Sequence, residues 1–160
     1  FLIFRHITDV NMDRPDEYRF NKISDRSIDM YWATVFYFKK SESMQRFFDL
    51  ITHIKDNWNF YRLTYQIVNK TYRNDFAFSI AIHMLNGFQR TNWPKVLPGR
   101  LWFTSDADVL IKLEDETYTF LLDKKHWVGH YHAGSIKDAN IHIMNKFALD
   151  RFIDEDLVNE

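Results

Sequence analysis

The sequence predicts a mixed α/β (α+β) fold: a sheet flanked by helices, then a C-terminal β-hairpin region and a closing helix. Three observations carry this expectation. Tyr31–Phe38, Tyr-Trp-Ala-Thr-Val-Phe-Tyr-Phe, is dense in aromatic and β-branched residues and reads as a mostly buried strand. Lys39 and Lys40 end it, Ser41 is a helix N-cap with Glu42 in the first turn, and Met44, Phe47, Phe48, Leu50, Ile51 and Ile54 follow at helical spacing. A strand that feeds an amphipathic helix is the unit of α/β architecture. Further on, Val109–Leu113 and Tyr118–Leu122 flank the acidic run Glu114-Asp115-Glu116, which is a hairpin pattern.

The remaining elements follow in order. Phe1–Ile7 reads as a strand and Thr8–Asp29, polar with one proline, as a long loop. After a break at Asp56-Asn57, the stretch from Trp58 to Val68 predicts an aromatic-rich helix. Asn74 or Asp75 can cap the next helix, in which Phe76, Phe78, Ile80, Ala81, Met84 and Leu85 are apolar and Asn86-Gly87 is the stop. Two prolines and Gly99 make Gln89–Arg100 a loop. Leu101–Thr104 is a short strand, His126–His132 another, and Gly134-Ser135 is expected to turn the chain. Ile141–Met144 is brief, and Lys146–Asp154 closes the fold as a helix.

At 160 residues the chain suits a single domain, 1–160, with a core that needs no staples. Aromatic residues make up 18% of it, which core packing explains. The net charge of −1 gives no sign of a nucleic-acid partner. No apolar run approaches the roughly 20 residues of a membrane helix, so no membrane segment and a cytoplasmic location are expected. With no cysteine, disulfides and thiolate metal sites are excluded. The start on Phe1-Leu2-Ile3-Phe4, an apolar segment without a leader, suggests a piece of a longer protein.

Several residues have the chemistry of a site. Asp75, with Arg73 and Asn74 before it, places a carboxylate at a helix start, where it can orient or deprotonate a hydroxyl or simply cap the helix. Asp106 and Asp108, two apart near a strand, can share one side and suit a hard divalent cation, although this spacing is also common in loops. His142 and Lys146 share a face if the stretch between them is helical. His130 and His132 share one face of a strand, with no third ligand evident. Tyr37 and Trp32 could stack on a ring of a ligand, although a strand this apolar makes them core residues first.

Three patterns together resemble a known family. They are Thr34–Ser41 leading into Phe47-Phe48, then Tyr72-Arg-Asn-Asp-Phe-Ala-Phe-Ser-Ile-Ala81, then Asn140-Ile-His-Ile-Met-Asn-Lys146. In this order they resemble the C-terminal, acceptor-side half of a GT-A-fold glycosyltransferase, of the family-8-like group with its phage and bacterial relatives. The resemblance implies a partial GT-A-like mixed sheet, a nucleotide-sugar donor, an acceptor substrate and a Mn²⁺ or Mg²⁺ cofactor. It implies Asp75 as the catalytic residue, Arg73, Asn74 and Lys146 in substrate binding, and His142 as a metal ligand, with Asp106 and Asp108 as weaker ones. It also implies that the nucleotide-binding portion lies upstream of residue 1. The alternative is a non-catalytic phage or bacterial protein that binds a partner through an aromatic surface.

Overall fold

In a computed structural model of the chain, residues 1–5, 7–11, 22–24, 27–89, 93–123 and 130–158 are described, with side chains to residue 153. The fold is mixed α+β, with four helices and three three-stranded sheets among these residues. Contacts divide the chain into two compact units, Phe1–Ile7 with Pro15–Pro98, and Thr8–Arg14 with Gly99–Glu160. The main boundary between them follows Pro98, inside the proline- and glycine-marked loop.

In the first unit, β1 (Leu2–Phe4) pairs antiparallel with β3 (Trp32–Tyr37) and parallel with β4 (Lys95–Val96), giving the order β3-β1-β4. The strand expected over Phe1–Ile7 is thus two: β2 (Ile7–Asp9) belongs to another sheet, with β5 (Leu101–Phe103) and β9 (Asn140–His142) in the order β2-β5-β9. Helix α1 (Glu42–Asp56) begins as its sequence requires, with the Ser41 hydroxyl accepting the Met44 N–H at 3.3 Å. Its buried face carries Met44, Phe47 and Ile54.

Helix α2 (Trp58–Thr64) is shorter than the apolar pattern to Val68 suggests. Gln66 turns left-handed at φ 56°, the Ile67 N–H reaches the Arg62 carbonyl, and the Gln66 N–H reaches that of Leu63. These two bonds satisfy the last carbonyls and stop the helix. Helix α3 (Asn74–Leu85) ends in the same way, with Gly87 at φ 66°. Seven consecutive residues of α3, Phe76 to Ile82, are buried, so it is a core helix rather than a one-sided one.

In the second unit β6 (Val109–Glu114), β7 (Thr117–Asp123) and β8 (Tyr131–Lys137) form an antiparallel meander. Asp115 and Glu116 both have positive φ, as the tightest hairpin turn requires. Gly134-Ser135 does not turn the chain: both residues lie inside β8, with Gly134 opposite Phe120 and Ser135 opposite Thr119. A side chain at 134 would collide with Leu122, so the glycine is there for space. The strand expected over His126–His132 is seen only as the start of β8, and His126 lies outside the described residues.

Short β5 (Leu101–Phe103) runs parallel to β9 (Asn140–His142). Helix α4 (Lys146–Val158) is capped by Asn145, whose side-chain oxygen accepts the Ala148 N–H at 3.2 Å. The core of this unit is Val10, Leu110, Phe120, Leu122 and Ala148.

Candidate functional site

Helix α3 opens beside strand β3, and this placement brings the Tyr72-Arg73-Asn74-Asp75 segment against Trp32. Asp75 is the second helical residue, a position where the helix dipole favours an acid. It is not the cap. Its Oδ1 accepts the Ala33 N–H at 2.9 Å, and its Oδ2 accepts from Arg73 at 2.8 Å. The carboxylate side chain is 14% exposed and the Arg73 side chain 41%, so the pair lies at the boundary between core and solvent.

Aromatic rings surround this pair. The Arg73 guanidinium stands over Trp32 at 5.5 Å and over Phe76 at 5.2 Å. Phe76 stacks on Trp58 with the rings 6.0 Å apart and 4° from parallel, and Tyr72 meets Trp58 edge-on at 5.6 Å. The Trp58 indole N–H donates to the Lys70 carbonyl at 2.8 Å, which fixes that ring. Burial pushes the Tyr72 phenol pKa above its ordinary value, so Tyr72 stays neutral and able to donate at physiological pH. Asn74, also expected here, is exposed on the first turn of α3.

The metal expectation fares differently. Asp106 and Asp108 do not share a side. Ser105–Asp108 is a turn closed by the Asp108 N–H on the Ser105 carbonyl, so Asp106 faces solvent while Asp108 is 1% exposed. Asp108 Oδ2 accepts the Ser105 N–H at 2.6 Å and Oδ1 the Asp123 N–H at 2.9 Å. This carboxylate ties the turn to the end of β7.

His142 and Lys146 do not share a helical face, because His142 ends β9 and the Asn145 cap starts α4 only at Lys146. The His142 Nε2 lies 2.9 Å from the Met144 sulfur. His132 lies on β8, whereas His130 precedes it. Among the described residues no three histidine or acidic side chains converge as a metal site, so the predicted Mn²⁺ or Mg²⁺ finds no matching ligand set there. Asp75, Arg73 and Asn74 belong to the first unit, and His142, Lys146, Asp106 and Asp108 to the second.

Sequence reasoning missed a second feature of the first unit. A cleft of about 470 Å³ is lined by Glu42, Ser43 and Arg46 of α1, Leu85 and Asn86 at the end of α3, and Trp93. Three separate segments supply these side chains, so no local spacing announces it. Tyr37 and Phe38, at the end of β3 and just beyond it, are 65% and 40% exposed rather than core. No helix among the described residues is long and apolar enough to cross a membrane. No family model, curated protein or solved structure matches the chain.

Proposed function

We propose that the first unit is the acceptor side of a sugar transferase, which moves a sugar from a nucleotide-sugar to an acceptor hydroxyl. The observation that carries this reading is the Asp75 carboxylate, fixed by the Ala33 N–H and Arg73 beside the rings of Trp32 and Phe76. Each carboxylate oxygen retains a lone pair after those bonds, so Asp75 can still accept a hydrogen bond from a substrate hydroxyl. As the hydroxyl oxygen forms its bond to the anomeric carbon, Asp75 takes the proton. The bond from that carbon to the diphosphate breaks, and its electron pair leaves with the nucleoside diphosphate. Arg73, 41% exposed beside the carboxylate, supplies the positioning, while the buried Trp32 and Phe76 rings against its guanidinium hold it in place. Because Asp106, Asp108 and His142 do not form a ligand set, no step is assigned to a metal.

A second reading, a non-catalytic protein that binds a partner through aromatic surface, is favoured by one observation. Exposed Phe38 stacks with Phe36 at 6.0 Å and meets Phe48 at 5.1 Å, and Tyr37 stands open beside them. Release of nucleoside diphosphate by the full-length gene product, offered a panel of nucleotide-sugars and acceptors, separates the two. Turnover supports the transferase; no turnover with any donor supports the binding protein.

A further inference from the structure

The cleft between the start of α1 and the end of α3 has the dimensions and chemistry of a ligand site. Its volume of about 470 Å³ falls within the range of small-molecule sites, about 300 to 1,000 Å³. Trp93 is the broad apolar element of its wall. The indole is held in place by Phe1, 5.5 Å away, and by Phe47, 6.0 Å away and nearly perpendicular. Leu85 adds a second apolar surface.

Polar groups complete the lining, and their bonds show what remains for a ligand. Asn86 spends its side-chain nitrogen on the Trp93 carbonyl at 2.8 Å, which leaves its amide oxygen as an acceptor. Arg46 pairs with Glu42 one turn away. In that pair the guanidinium keeps further N–H donors and the carboxylate further acceptor positions. The Ser43 hydroxyl bonds the Ser41 hydroxyl at 3.0 Å, and one more bond is open to it.

The lining charges, one negative and one positive, cancel. An anion such as a phosphate would meet the Glu42 carboxylate beside Arg46. A wholly apolar ligand would cover the Asn86 amide oxygen without giving it a partner, which is costly. A neutral ring with one apolar face and several hydroxyls satisfies both constraints: the face lies on Trp93 and Leu85, and the hydroxyls meet Asn86, Glu42 and Arg46. We infer that this cleft binds a single neutral hexopyranose unit. The inference does not depend on the transferase reading, since no residue of the Asp75 site lines the cleft.

The test is titration of the ¹⁵N-labelled protein with methyl α-glucopyranoside, methyl α-mannopyranoside and methyl β-galactopyranoside at millimolar concentrations. Inorganic phosphate and cyclohexanol serve as the charged and the nearly apolar probes. Saturable shifts with at least one glycoside, at the amides of residues 42–46 and 85–86 and the Trp93 indole N–H, are expected. Arg46→Ala and Glu42→Gln each weaken that binding roughly tenfold. Both side chains are strongly exposed, at 71% and 80%, so the variants fold. The inference is overturned by no shifts with any glycoside, by shifts outside the cleft, by equal or stronger binding of phosphate or cyclohexanol, or by indifference to both substitutions.

Discussion

The Asp75 carboxylate accepts the backbone N–H of Ala33 at 2.9 Å across 42 residues of sequence. One helical turn later, Ser79 accepts the Tyr31 N–H at 2.8 Å and donates to the Asp75 carbonyl at 2.6 Å. Strand β3 is at the edge of its sheet, and these two side chains of α3 satisfy N–H groups at and just before its start. Asp75→Ala is therefore expected to destabilise the protein by about 1–2 kcal/mol, the cost of leaving a part-buried donor unpaired. Asp75→Asn keeps an acceptor for Ala33 and should cost less, and Ser79→Ala should fall between them. Urea denaturation measures all three.

Asp108 should behave as a structural residue and Asp106 as a surface one. Removing the Asp108 carboxylate leaves the Ser105 and Asp123 N–H groups without their acceptor. Asp108→Ala should cost about 2–4 kcal/mol, more than a single neutral bond, because two charge-assisted bonds are lost together. Asp106→Ala should be within about 0.5 kcal/mol of the parent, as is usual for an exposed position. Hydrogen exchange at the Ser105 and Asp123 amides, read alongside denaturation, locates the loss.

Gly134→Ala tests the interior of β8. A Cβ built there stands 2.8 Å from the Leu122 Cδ1, and Leu122 is only 2% exposed. The leucine must leave its rotamer or the strands must part, which costs about 1–3 kcal/mol. A lower melting temperature is expected for this variant, and a smaller loss for Gly134→Ala combined with Leu122→Val.

These three sites also mark where the sequence could be read and where it could not. Ser41 and the spacing of Met44, Phe47 and Ile54 specify α1, and the acidic turn between two β-rich runs specifies the β6–β7 hairpin, because both signals are local. Gly134-Ser135 looks like a turn because glycine favours turns. Here the absent side chain makes room for Leu122, a residue from another strand. Asp106-Ala107-Asp108 looks like a cation site until the Asp123 N–H, 15 residues away, occupies one carboxylate. Asp75 was legible as a helix-start acid, but its partner Ala33 was not, since that contact exists only once α3 packs on β3.

Tyr65 should give the protein an alkaline limb. Burial, followed by the neighbouring Tyr61, pushes its phenol from 10.0 up to about 12, and its hydroxyl meets His83 Nδ1 at 3.0 Å. Well below pH 10 the phenol is protonated whether the chain is folded or not, so this residue adds no pH dependence to stability there. Between pH 10 and 12 the unfolded chain releases the proton while the folded one retains it, so stability falls as pH rises. Denaturation on either side of pH 10 should show that fall, and Tyr65→Phe should lessen it.

The most direct test of the transferase proposal is nucleoside diphosphate release by full-length wild-type and Asp75→Asn protein, after circular dichroism has shown both to be folded. Asparagine retains the bond to Ala33 but cannot take a proton, so a loss of about 100-fold or more in turnover is predicted, in the range of general-base catalysis. Turnover by Asp75→Asn equal to that of the wild type would contradict the role given to this carboxylate.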